Sequence, residues 1–280
     1  MRKVQTDLIK DAIKEMCIEA NLLLSPDVES RIEEAEREET KELGKKILSQ
    51  LKENMAIAKE ESIPICQDTG MAIIFLEIGQ EVYLEGQYLE DAVNQGVREG
   101  YTEGFLRKSV VGDPLLRVNT KDNTPAVIHT MIVPGEKVKI TVAPKGFGSE
   151  NMSRVCMLKP ADGEEGVKEA VLETVRLAGP NACPPMVVGV GIGGSFEKCA
   201  LLAKKALTRD LDIRSELPHI RAMEEELLQK INALNIGPGG LGGNTTALGV
   251  NIETYPTHIA GLPVAINICC HVNRHAVREI

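Results

Sequence analysis

Residues able to do chemistry concentrate in five short segments: PICQDTG at 64–70, PKGFGSEN at 144–151, GPNACPP at 179–185, GPGGLGGNTT at 237–246 and INICCHVNRH at 266–275. Each joins Gly or Pro punctuation to polar or sulfur side chains, the pattern of loops that display reactive groups on a scaffold. Three of them hold Cys66, Cys183 and Cys270. These thiols form no C-x-x-C pair, unlike zinc ribbons and ferredoxin-type clusters. Three isolated loop cysteines suit an iron–sulfur cluster with three protein thiolates and one open iron. The same spacing also suits buried structural thiols. Cys17 and Cys199 fall within helical patterns and read as structural, as does Cys156. Cys269 and Cys270 are adjacent, so strand alternation sends only one to a shared site.

The chain has seven cysteines, an odd count that argues against a disulfide framework. Formal net charge is −9, which argues against the basic face of a nucleic-acid groove while leaving room for a local basic pocket for an acidic substrate. No stretch approaches the ~18 apolar residues of a membrane span, and the first residues lack a compact apolar leader core. The expectation is a soluble, cytoplasmic protein that binds neither nucleic acid nor membrane.

Gly189–Gly194, GVGIGG, fits G-x-G-x-x-G between a strand and a helix. It supports a competing reading as a nucleotide-binding oxidoreductase. The run stands late in the chain without a clear βαβ unit, so a tight strand-to-helix turn explains it as well. Of the five histidines, His129 lies in an alternating strand and His219 near a helix start. His271 and His275 follow the third Cys segment. His258 stands out for lying on the loop that leads toward Cys270.

These groups must be held by elements legible from periodicity. Residues 4–60 read as helical, with Val4, Leu8, Ile9, Ala12, Ile13 and Met16 on one face and an interruption at Ser25-Pro26. A charged helix from about Asp27 to Lys59 would bury Leu43, Ile47 and Leu51. A strand is expected at Met71–Ile78 and a helix over 88–107. AVIHTMIV and KVKITVAP alternate as paired strands around Pro134-Gly135-Glu136. Helices follow at Gly166–Ala178, Ser195–Leu207 and Glu216–Leu234, with strands at MVVGVGI, Thr246–Ile252 and Val264–Cys270. No sequence repeat is visible. The expected fold is α+β: a helical N-terminal section, 1–113, packed on an α+β section, 114–280, with a mainly antiparallel sheet.

Taken together, the motifs resemble the alpha subunit, or N-terminal half, of the class I iron–sulfur fumarate hydratase and tartrate dehydratase family. PICQDTG matches its first cluster motif, ACPP at 182–185 its second, and Cys270 followed by Arg274 its Cys-x-x-x-Arg pattern. PKGFGSEN corresponds to a Gly-rich family segment, with Phe147 in place of a middle glycine. The similarity runs from about residue 5 to 280. It implies a 4Fe–4S cluster on Cys66, Cys183 and Cys270. It implies catalytic roles for Gln67, Asp68 and His258, and substrate contacts from Gln67, Arg107, Gly146 and Gly148. The implied activity is reversible hydration of fumarate to malate, or else dehydration of L-tartrate or another hydroxy diacid. A separate beta subunit would complete the pocket, in a hetero-oligomer of two alpha and two beta chains.

Overall fold

The computed structural model describes residues 1–280. It divides into two units that interleave along the chain. The first takes Met1–Ser25, Met55–Phe147 and Arg274–Ile280; the second takes Pro26–Asn54 and Gly148–Asn273. The expected boundary near Asp113 falls inside the first of them.

In the first unit, β2 (Met71–Gly79), β4 (Val127–Val133), β5 (Val138–Lys145) and β10 (Ala276–Glu279) form one sheet in the order β10-β5-β2-β4. The β10–β5 and β5–β2 pairs are antiparallel, and β2–β4 is parallel. A smaller parallel pair joins β1 (Arg2–Gln5) to β3 (Val82–Glu85). Val4 therefore sits in a strand, ahead of the first helix. The strand expected at Met71–Ile78 is β2, the most deeply buried of this sheet.

Two whole helices belong to the unit, α1 (Thr6–Leu22) and α4 (Leu89–Glu103). Ile9, Ala12, Ile13, Met16, Cys17 and Ala20 recur at three and four and are all buried. Each large apolar side chain so buried contributes roughly 1.5–3 kcal/mol. Leu8 falls off this stripe and is exposed. Helix α4 meets α1 through Gly96 and Gly100. A Cβ at either would come within 2.5 and 2.7 Å of the carbonyls of Lys10 and Lys14.

The two strands around Pro134 do not pair with each other. β2 lies between them, in register with both. Its side chains are buried on both faces over Ala72–Leu76, so it needs a neighbour on each edge. β4 exposes Thr130, Met131 and Ile132 and takes the edge. The Pro134–Lys137 connection passes over the end of β2, where the Gly79 N–H donates to Lys137 and a Cβ would strike the Gly135 carbonyl at 2.3 Å.

The second unit holds β6 (Arg154–Leu158), β7 (Met186–Gly193), β8 (Ala247–Tyr255) and β9 (Leu262–Cys269) in the order β6-β9-β7-β8. The β6–β9 and β9–β7 pairs are antiparallel, and β7–β8 is parallel. Both larger sheets are thus mainly antiparallel, and both share one pattern of neighbours. An inner strand has a parallel partner on one side and an antiparallel one on the other, with a further antiparallel strand beyond. That outer strand is the last of its sheet in the chain for β10 and the first for β6. α6 (Gly163–Ala178) and α8 (Pro218–Asn232) pack on one face of this sheet through Val171, Val175, Leu227 and Ile231. α7 (Phe196–Ala206) takes the other face through Cys199 and Ala203.

The expected charged helix is two: α2 (Pro26–Glu38) and α3 (Glu42–Glu61). Between them the buried Glu39 carboxylate accepts the N–H groups of Thr40 and Lys41, so the chain turns there instead of continuing. Of the expected stripe, Leu43 is 51% exposed, Ile47 and Leu51 are half-buried, and Leu48 is the fully buried residue.

The glycine run at 189–194 serves packing. Within β7, Val188 and Val190 enter the core shared with α6 and α8. Alternation turns Gly189 and Gly191 toward α7, where a Cβ would meet the carbonyls of Ala203 and Cys199 at 2.3 and 2.1 Å. These glycines lie inside a strand that a helix approaches closely, not in a phosphate-binding turn.

Candidate functional site

In the first unit the loop before β2 carries Cys66, Gln67 and Asp68. Antiparallel pairing of β2 with β5 sets it beside Lys145 and Gly146, since Met71 faces Lys145. Asp68 is locked at both carboxylate oxygens. Oδ1 accepts the Gly70 N–H at 3.0 Å, and Oδ2 accepts the Phe147 N–H at 2.9 Å. The Asp68 N–H points to Cys66 Sγ at 3.4 Å. Gly146 is close enough that its Cβ would stand 3.1 Å from Asp68 Oδ2. A side chain there would crowd the carboxylate.

The same loop fixes Arg107. The buried Thr69 hydroxyl donates to the Arg107 carbonyl at 3.1 Å and accepts the Arg107 N–H at 2.9 Å. Asn123 adds a second tie, donating to Gly70 O at 3.2 Å and accepting the Ser109 N–H at 2.7 Å. The Tyr101 hydroxyl, fully buried, lies 2.8 Å from Thr69 O and 3.1 Å from Gly70 O. Arg107 and Gln67 both reach solvent. This unit therefore gathers Cys66, Gln67, Asp68, Arg107 and Gly146 around one loop.

Two participants escaped the sequence reading. Arg274, 4% exposed, donates through Nη2 to the Asp68 carbonyl and through Nε to Pro144 O at 3.3 Å. Its third nitrogen, Nη1, is buried without a hydrogen-bond partner. Lys145, also buried, donates to Gly146 O at 3.1 Å. A cation at a loop–strand junction was the available signal in both cases. Arg274 figured only as part of a motif, with no assigned role.

In the second unit, Cys183 stands before β7 and Cys270 follows β9. Because Val187 pairs with Cys269, the start of one strand meets the end of the other. Cys183 is exposed and adopts a left-handed conformation, φ 51° and ψ 62°. For a residue with a Cβ this costs roughly 1–2 kcal/mol, so its neighbours must hold it there. The His271 Nδ1 lies 3.1 Å from the Cys183 carbonyl, and the Gly239 N–H donates to Pro184 O at 2.9 Å.

His258 is not beside Cys270. It precedes β9, whose eight residues separate the two by about 25 Å along the strand. It is exposed, and its Nδ1 accepts the Ala260 N–H at 3.1 Å in an ordinary turn. Gly148, at the junction of the units, has open space where a Cβ would stand.

The thiols sort by environment. No disulfide forms. Cys17, Cys199 and Cys269 are buried, and burial pushes the Cys17 thiol up to about 12. Cys66, Cys183 and Cys270 are exposed or half-buried on loops, and thiolate is a soft ligand of the kind that iron–sulfur clusters take. Cys156 is half-buried within β6. Neither unit by itself gathers three His, Cys, Asp or Glu side chains that could hold a metal ion. Cys66 belongs to the first unit and the other two to the second. By donor type and accessibility, each of the three taken singly is suited to binding an iron–sulfur group.

Nearly the whole chain is similar to known proteins. Residues 10–279 match the family described as fumarate hydratase (Fumerase). A Methanocaldococcus jannaschii protein, provisionally named L(+)-tartrate dehydratase subunit alpha, is 44% identical over 278 residues, covering 97% of each chain. The L(+)-tartrate dehydratase subunit alpha of Escherichia coli strain UTI89 is 34% identical over 258 residues, covering 91% of this chain and 84% of its own. That of Shigella boydii is 34% identical over 252 residues, covering 89% and 82%. No helix is long and apolar enough to cross a membrane. With the match spanning nearly every element described above, the chain belongs to the fumarate hydratase (Fumerase) family.

Proposed function

We propose that this chain is the alpha subunit of an iron–sulfur-dependent hydro-lyase that removes water from L-tartrate or a closely similar hydroxy diacid. The observation that carries the reading is the 44% identity, end to end, with a protein bearing the tartrate dehydratase alpha name. The name of its family supports a second reading, hydration of fumarate to malate.

Cys66, Cys183 and Cys270 would hold a 4Fe–4S cluster, which when bound supplies Lewis acidity at an open iron. The remaining work falls to protein groups. Asp68 keeps its carboxylate in one orientation through two main-chain donors, as a proton-transferring or substrate-orienting group requires. Arg107, tied to the loop by Thr69, offers a planar fork suited to one substrate carboxylate. The unfilled Nη1 of Arg274 adds a buried cationic donor in the same loop cluster, which suits a doubly anionic substrate. Gln67 and Gly146 supply neutral contacts. The names of the relatives, all subunit alpha, support a partner beta chain completing the pocket, and two copies of each chain is the expected assembly.

The test is anaerobic co-expression with the candidate beta chain and assay of L-tartrate, malate and fumarate. Oxaloacetate formed from L-tartrate faster than malate is interconverted with fumarate supports the main reading. The reverse order supports the second. A fully iron-loaded complex that turns over none of the three ends both.

A further inference from the structure

We propose that His271 is a positioning residue that fixes the loop bearing Cys183 to the strand end bearing Cys270. The proposal rests on the reading of these two thiols as cluster ligands. The Cys183 carbonyl can only accept, so the 3.1 Å contact requires that His271 Nδ1 carry the proton. His271 directly follows Cys270 in the chain. One hydrogen bond therefore links two cysteines that lie 87 residues apart in sequence (270 − 183).

The contact acts on a backbone that needs holding. Cys183 is left-handed without being glycine. Its N–H donates to Pro180 O at 3.1 Å, and Gly239 grips the following residue through Pro184 O. Gly240 presses on Pro180 so closely that a Cβ would come within 2.3 Å of it. The far end of that glycine loop is pinned by Glu39, whose Oε2 accepts the Asn244 N–H at 2.8 Å. The glycine loop thus supports the Cys183 turn from one side. His271 supports it from the side of the other thiol.

The test uses the full chain without metal, under anaerobic conditions, and the bifunctional thiol reagent dibromobimane, which fluoresces when both ends react. Peptide mapping identifies the bridged pair. Three variants are compared with the parent: His271→Leu removes the donor, His271→Asn keeps a donor at the Nδ1 position, and His271→Gln places it at the Nε2 position. The 183–270 bridge should form in the parent and in His271→Asn. In His271→Leu and His271→Gln it should form about fivefold more slowly, with melting temperatures within about 4 °C of the parent's. Iron and acid-labile sulfide retained after reconstitution should follow the same order. Equal bridging in all four proteins, or none in the parent, overturns the proposal. If His271→Leu does not fold, the contrast between Asn and Gln decides. Bridging that depends on His271 in chains that never retain iron upholds the positioning role and removes the cluster reading instead.

Discussion

The guanidinium of Arg274 donates to the main-chain carbonyl of Asp68, though 206 residues separate them. Through Nε it also holds Pro144, so one buried side chain ties the loop before β2 to the end of β5. Arg274→Met should lower unfolding free energy by about 2–3 kcal/mol, because two carbonyls lose a charged donor. Arg274→Lys should recover little of this, since a single ammonium cannot span both sites. Urea denaturation of the three proteins measures it.

Asp68→Asn retains the shape of the loop but sets an amide NH2 group against one of two main-chain donors. Turnover of the preferred diacid should fall about 10²–10⁴-fold, the range for loss of an acid–base group. The melting temperature should move far less than in Arg274→Met. Steady-state kinetics on the loaded complex, paired with a thermal scan, separates the two effects.

Glycine substitutions should divide sharply by surroundings. Gly240 has φ +74° and sits against Pro180, so Gly240→Ala must displace backbone and should cost more than about 2 kcal/mol. Gly135 has φ +103° but open space around it, and Gly135→Ala should cost only about 1–2 kcal/mol. Denaturation midpoints of the two variants give the comparison.

Stability should decline at both ends of the pH scale. Burial pushes the Cys17 thiol from its usual 9.0 to about 12, so the folded chain holds that proton more tightly. This contribution is whole below about pH 9 and is lost as pH climbs toward 12. Tyr101, raised by burial as well, adds to the loss above its usual 10.0. Burial also raises the Asp122 carboxyl, but hydrogen bonds from Arg98 and Thr124 outweigh it and leave it at about 2, below the usual 3.8. Its contribution is present above about pH 4 and drains away as pH falls toward 2. Cys17→Ala should flatten the alkaline limb and leave the acid limb unchanged, as read by denaturation across pH.

Elements with strong periodicity were legible before the structure. The stripe of α1 from Ile9 to Ala20, the buried run of β7 and the helices α6, α7 and α8 all follow their apolar spacing. What failed was information that spacing does not carry. The four-residue strands β1, β3 and β10 are too short to show alternation, and β6 is only five residues long. Pairing of β4 with β5 looked natural from their nearness in sequence, yet β2 claims the place between them. At the site, the loops around Asp68 and Cys183 were marked by their Pro, Gly and Cys content. The fasteners that lie outside those loops, Tyr101, Asn123 and Glu39, were not, because a buried hydrogen bond to a distant carbonyl or N–H leaves no periodic trace.

In both larger sheets the reactive loop leads directly into a strand flanked on each side, β2 after Asp68 and β7 after Cys183. Interior strands are the last parts of a fold to exchange their amide protons with solvent. Each loop is thus moored a few residues from the stiffest material available. Its side chains can meet a ligand in water while their point of attachment scarcely moves.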